Sequence, residues 1–239
     1  MIPRSTLRRL PALALLLALS AVVPAQPESV RPGVNRQFEN PDVERFINTF
    51  ETESRAIYHY RHAIAEALGL TEGMAVADVG AGTGFFSLLF ARRVGPEGKI
   101  YAEDIAENFV KHIGNIAAEA GLANVLPVLC TDKSTELPPA SVDLVFVCDT
   151  YHHFEFPQET LKSMHQALRP GGRLAIIDFE RVVGVTSEFS INHVRCGKGT
   201  VTDEVKDAGF DFLKEIPLMK DQYFILFAKR REGPASTNR

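Results

Sequence analysis

The sequence lacks most of what marks a specialised class. Its 3 cysteines in 239 residues allow at most one internal disulfide, which excludes a disulfide scaffold. They show no C-x-x-C spacing, so no metal-ligand pattern is present and no metal is expected. With 17 glycines and 14 prolines, collagen-like and wholly disordered chains are excluded as well. Cationic excess is missing: 26 basic residues face 30 acidic ones, a formal charge of −4, and no nucleic-acid partner is expected. Neither an internal repeat nor a low-complexity block occurs. Ala12 to Val23 is an apolar run of 12 residues interrupted by one Ser. That is short of the roughly 20 residues that cross a bilayer as a helix.

What is present begins with an address. Arg4, Arg8 and Arg9 form a basic region with no acid near it, the apolar run follows, and Val23-Pro24-Ala25 puts small residues where signal peptidase cuts. This order predicts a signal peptide over residues 1–25 and an exported protein with no stable membrane span. An uncleaved N-terminal anchor is the alternative. No Cys stands at the cut site to carry a lipid, and Leu7 before Arg8-Arg9 departs from a twin-arginine signal.

Residues 26–40 are polar, with Pro27, Pro32 and Gly33, and read as a linker. Over residues 41–70, two helices are expected. Asn40 caps the first, with Pro41 at its first position, and Val43, Phe46, Ile47 and Phe50 follow at helical spacing. The second, about Ser54 to Leu68, puts Ile57, Tyr60, Ile64 and Leu68 on one face and ends at Gly69, both helices forming a lid or flank. From Met74 the rhythm changes. Met74–Val79, Lys99–Ala102, Val125–Cys130, Leu144–Cys148 and Arg173–Asp178 read as strands separated by amphipathic helical stretches. A helix near Thr202–Ala208 and strands about Phe210–Ile216 and Tyr223–Ala228 close the main domain, 71–229, before a polar tail, 230–239. Such alternation predicts βαβ units and a mostly parallel sheet covered on both faces, an α/β fold.

The segment Val76-Ala77-Asp78-Val79-Gly80-Ala81-Gly82-Thr83-Gly84 decides the function class. Glycines on a strand-to-helix turn permit positive φ and let a ligand lie against bare backbone. A dinucleotide fingerprint wants G-x-G-x-x-G, whereas Phe85 stands in the third glycine's slot here. The D-x-G-x-G-x-G pattern instead resembles motif I of class I S-adenosylmethionine-dependent methyltransferases. Asp104 closes the second strand where that family binds the ribose hydroxyls, and Asp132 follows the third strand where it places an acid beside adenine. Ser141-Val142-Asp143-Leu144-Val145 and Leu168-Arg169-Pro170-Gly171-Gly172-Arg173-Leu174 resemble its fourth strand and the turn before its fifth. The resemblance implies a Rossmann-like three-layer sandwich with strand order 3-2-1-4-5-7-6, strand 7 antiparallel, carrying an N-terminal helical extension. It implies S-adenosyl-L-methionine held by Asp78, Gly80, Gly82, Gly84, Asp104, Asp132 and Asp149 over the C-terminal ends of strands 1 and 4.

Chemistry is expected just past strand 4, at Asp149-Thr150-Tyr151-His152-His153-Phe154-Glu155. His152 or His153 suits proton transfer near neutral pH, and Tyr151 and Phe154 suit the walls of a methyl pocket. In the methyltransferase class that the sequence resembles, a His pair at this place also serves as a helix-start and packing feature. His193 and Arg195 are further acceptor-side candidates. Cys130 and Cys148 would lie about three strand spacings, roughly 14 Å, apart, too far to bridge; Cys148 with Cys196 stays open. The expected function is methyl transfer to a small molecule. The rival reading is an exported, non-catalytic binding module of the same fold, raised by the distance between an export signal and a cytoplasmic cofactor supply. A nicotinamide oxidoreductase is disfavoured by the glycine spacing.

Overall fold

The computed structural model describes residues 28–184 and 186–231. The expected signal peptide and most of the expected tail lie outside the described residues. Seven strands, β1 (Ala75–Val79), β2 (Lys99–Asp104), β3 (Val125–Leu129), β4 (Val142–Cys148), β5 (Leu168–Phe179), β6 (Phe210–Glu215) and β7 (Gln222–Lys229), form one sheet. Its order is 3-2-1-4-5-7-6, as the resemblance implied. Strands β1 to β5 pair in parallel, and β7 runs antiparallel to both β5 and β6. The order reverses at β1, which pairs with β2 on one side and β4 on the other, so a crevice opens above their C-terminal ends.

The helices are α1 (Val43–Phe50), α2 (Ala56–His59), α3 (Arg61–Ala67), α4 (Phe85–Val94), α5 (Glu107–Glu119), α6 (Pro157–Ala167), α7 (Glu188–His193) and α8 (Lys198–Asp207). Alternation along the strands sends Val76, Leu144, Phe146 and Ile177 to a core shared with α3, α4 and α5. Ala77, Val145, Val147 and Ile176 go to the opposite face, against α6 and α8. Phe146 is fully buried, and its ring lies 4.9 Å from Phe86 and 5.0 Å from Phe90 by centroids. Phe146→Ala is expected to cost about 3–5 kcal/mol through the cavity it leaves, read by denaturant unfolding; a loss below about 1 kcal/mol would contradict this packing.

Local chemistry moved several boundaries. The first helix is capped not by Asn40 but by Asp42, whose side chain accepts the Arg45 N–H at 3.2 Å. The second breaks at Tyr60 (φ −90°, ψ 9°) into α2 and α3. The turn expected at Leu168–Gly172 sits inside β5 as a bulge, where the register jumps from Val142↔Leu168 to Leu144↔Arg173. Helix α7 was not anticipated. Residues 29–38, expected as a linker, are packed: Val30 N–H donates to the Glu155 carbonyl at 2.9 Å, Asn35 Nδ2 to the His153 carbonyl at 3.1 Å, and Arg31 to the carbonyls of Asn192 and His193.

Candidate active site

At the C-terminal ends of β1 and β4 lies a cavity of about 540 Å³. Its floor is the glycine turn. Gly80 N–H and Ala81 N–H donate to the Glu103 carbonyl at 2.9 and 2.8 Å, tying the turn to β2. Gly80, Gly82 and Gly84 take φ of +72°, +55° and +80°, a region costly for side chains. The three glycines then divide by what a Cβ would meet. At Gly80 it would lie 2.3 Å from Thr150 Cγ2, and at Gly84 2.9 Å from Ile113, so Gly84 serves the α4–α5 packing beneath the cavity rather than its wall. At Gly82 it would meet only the Phe50 ring, at 3.5 Å, and point into the space a ligand would fill.

The acids surround this turn. Asp104 accepts Gly82 N–H and Ala106 N–H, both at 2.9 Å, and burial pushes its carboxyl up to about 6. Asp78 accepts the Ser87 hydroxyl at 2.6 Å; burial first, with help from the Asp104 charge, pushes it up to about 7. Beside them Glu103 is fully buried with no hydrogen-bond partner among the described residues for either carboxylate oxygen, and burial holds it far above the usual range, so it keeps its proton. Asp132 lines the cavity from the end of β3, exposed, its carbonyl accepting the Thr160 hydroxyl at 3.1 Å. Asp149, at φ +50°, lines it from the end of β4 with its carboxylate bonded to Arg55 and Gln222. Burial pushes Asp149 up to about 6 against the pull of Arg55. Sequence reasoning did not foresee this latch, which ties the residue before α2 to the sheet.

The remaining wall is aromatic and imidazole. Among the described residues, eight phenylalanines line the cavity: Phe38, Phe46, Phe50, Phe85, Phe86, Phe109, Phe154 and Phe179. His152 and His153 sit on a 3-10 turn, Tyr151–His153, directly after β4, and both face the cavity. His152 is 2% exposed, its Nδ1 lies 2.8 Å from Asp178 Oδ1, and its N–H donates to Asp178 Oδ2 at 3.0 Å. With Nδ1 so held, Nε2 is buried without a hydrogen-bond partner among the described residues. Burial pushes His153 down to about 2, so it stays neutral, and the same cause lowers His193. Asp178 was legible only as the end of a strand; its signal was its place beside strand 4 at the same end of the sheet.

Two expectations fail here. Tyr151 does not line the methyl pocket: it is fully buried on the other face of the sheet, its hydroxyl donating to Glu204 at 2.7 Å. Arg195 is spent on the same Glu204, through contacts of 2.8 and 2.7 Å, and does not reach the cavity. The pair left open, Cys148 with Cys196, is not bridged, because the two thiols pack on opposite faces of the sheet. Burial raises all three cysteine thiols, so none is a ready thiolate.

Residues 70–211 match the family described as methyltransferase domain. The chain belongs to that family. Its relatives include the ubiquinone/menaquinone biosynthesis C-methyltransferase UbiE of Bordetella avium, 27% identical over 176 residues, 65% of this chain and 68% of the relative. The enzyme of the same name from Hydrogenovibrio crunogenus is 31% identical over 124 residues, 51% of this chain and 48% of the relative, so the chain spans about half that protein. A SAM-dependent methyltransferase from Aquifex aeolicus superposes with a TM-score of 0.71 at 25% identity, covering 80% of this chain and all of its own. The chain is an S-adenosylmethionine-dependent methyltransferase. Its residues fit the cofactor: a bare turn whose Gly82 Cβ would point into the cavity, the carboxylates of Asp78, Asp104 and Asp132 lining it, and an aromatic wall. No described helix of the methyltransferase is long and apolar enough to cross a membrane.

Proposed function

We propose that this methyltransferase acts on a small, largely apolar acceptor bearing an ionisable hydroxyl or thiol on or beside a ring, and that it does so after export. When bound, S-adenosylmethionine supplies an electrophilic methyl group on a sulfonium. Asp104 and the Gly80–Gly82 backbone hold that cofactor, with Asp78 behind the turn, Asp132 at the adenine side and Asp149 at the rim. The phenylalanine wall selects an apolar acceptor and excludes water. His152, its ring fixed by Asp178, contacts the acceptor's ionisable atom, and His153, packed at 4.2 Å between centroids, shapes the same wall.

One observation carries the acceptor reading: a buried imidazole that lines the cavity floored by the glycine turn is oriented through Nδ1 by a buried carboxylate and has an Nε2 without a hydrogen-bond partner among the described residues. The name of the relatives, which place them in ubiquinone and menaquinone biosynthesis, supports a ring-bearing apolar acceptor. Export rests on Arg4, Arg8 and Arg9, the Ala12–Val23 run and the Val23-Pro24-Ala25 cut site.

Methyl transfer from labelled cofactor to a panel of phenols, hydroquinones and thiols tests the acceptor class. On the acceptor it favours, His152→Ala is expected to lower kcat about a hundredfold while the cofactor's Kd stays within about twofold. Transfer to none of the panel, or a His152→Ala chain of normal kcat, would overturn the reading. Mass spectrometry of protein from its native host is expected to give a mature N-terminus at Gln26; an intact Met1 would overturn export by cleavage.

A further inference from the structure

Sequence spacing showed no metal pattern, yet the fold gathers one. His152 and His153 leave β4 on the 3-10 turn, and His193 comes from the far side of the chain at the end of α7. One imidazole nitrogen from each lies within 4.8 Å of the others. The ring centroids of His152 and His153 lie 4.9 and 5.2 Å from His193. We propose that these three side chains bind a divalent first-row transition-metal ion, Zn²⁺ fitting best, with its fourth position open to the cavity.

Four features support the site. Three imidazoles are a donor set suited to Zn²⁺, Cu²⁺, Fe²⁺ or Ni²⁺, and three protein ligands with an open fourth position is the arrangement of catalytic rather than structural zinc. Zn–N bonds of about 2.05 Å at tetrahedral angles place ligand nitrogens about 3.3 Å apart. The observed nitrogens, within 4.8 Å of one another, therefore need to close by up to about 1.5 Å to reach that spacing. Asp178 completes a carboxylate–histidine pair: by holding Nδ1 of His152 it leaves Nε2 for the ion and supplies a compensating negative charge. Finally, Nε2 of His152 and Nδ1 of His153 are buried polar atoms with no hydrogen-bond partner among the described residues, a cost that a bound cation removes. Arg31, a cation near the cluster, has its guanidinium turned to the carbonyls of Asn192 and His193.

The inference deepens the acceptor reading and rests on it for the ion's purpose, though not for the ion's presence. The open position takes an oxygen or sulfur anion of the acceptor, whose proton passes to solvent. The ion, in place of bare imidazole, then fixes the nucleophile in the cavity that holds the methyl donor.

The test uses the full chain without a histidine tag, stripped by chelator and titrated with Zn²⁺, and with Co²⁺ as a visible probe. The expected result is one ion per chain by elemental mass spectrometry and a tetrahedral Co²⁺ spectrum. His193→Ala is expected to weaken binding at least a hundredfold and Asp178→Asn ten- to a hundredfold. The exposed His62→Ala should change nothing. Calorimetry with S-adenosylmethionine shows whether His193→Ala keeps its fold and cofactor site. No bound ion at tenfold excess, or a bound ion that survives His193→Ala, would overturn the site. Undiminished methyl transfer by the stripped chain would refute the acceptor role alone and leave the metal site standing.

Discussion

Titration of the Gly82→Arg chain with S-adenosylmethionine is expected to give no binding heat even at millimolar cofactor, a loss of at least a thousandfold, while its fold persists. A Cβ at this position meets only the Phe50 ring at 3.5 Å, an ordinary contact, so the backbone has no steric reason to leave its place. The φ of +55° adds a strain of about 1 kcal/mol for a non-glycine residue, a few degrees of Tm for a domain this size. Beyond Cβ, however, the arginine side chain enters the cavity beside Asp104 and Asp78 and adds a positive charge where a cationic cofactor would lie. Volume and charge both act against binding. Gly80→Ala makes the contrast: its Cβ would lie 2.3 Å from Thr150 Cγ2, so the turn itself must shift, and stability is expected to fall with affinity. Retention of affinity within tenfold in Gly82→Arg would mean that the cofactor does not cross this turn.

Much of this architecture was legible because its signals are local. Strand–helix alternation from Met74 gave the parallel sheet, and the glycine spacing gave the turn, since both depend on neighbours within a few residues. The placement of Asp78, Asp104, Asp132 and Asp149 on one cavity follows from each ending or following a strand at the same edge of the sheet. What was hidden depends on partners distant in sequence. Tyr151 and His152 are adjacent, yet the tight turn after β4 sends one into the core beside Glu204 and the other to Asp178. Arg195 looked like an acceptor-side cation, but pairing with Glu204 nine residues on decides where its charge goes. The packed course of residues 29–38 rests on Glu155 and His153, more than a hundred positions away, and no composition rule reports such contacts.

The affinity for S-adenosylmethionine is expected to fall several hundredfold as pH drops from 7.5 to 5. Asp78 and Asp104 have carboxyls pushed up by burial to about 7 and about 6, so both take up protons within this window in the free protein. A cationic ligand requires them ionised. Below each value the proton must leave before the cofactor binds, and each pH unit then weakens affinity up to about tenfold per carboxylate. Binding near pH 7 should therefore release about half a proton, visible as a calorimetric enthalpy that changes with the ionisation enthalpy of the buffer. The free protein's stability moves the other way at first. Carboxyls whose folded pKa lies above the unfolded one favour the fold at low pH and lose that contribution as pH rises through the folded value. Acidification from pH 8 to 6.5 should thus raise the Tm of the free chain while it lowers cofactor affinity. Below about 6.5 the buried His153, held neutral, opposes part of that gain, because the unfolded chain takes up a proton there that the folded one does not. Asp78→Asn should flatten the affinity profile between pH 7.5 and 6 and abolish most of the proton release. An affinity that stays level from pH 7.5 to 6, with no dependence on buffer, would show that these two acids do not meet the cofactor's charge.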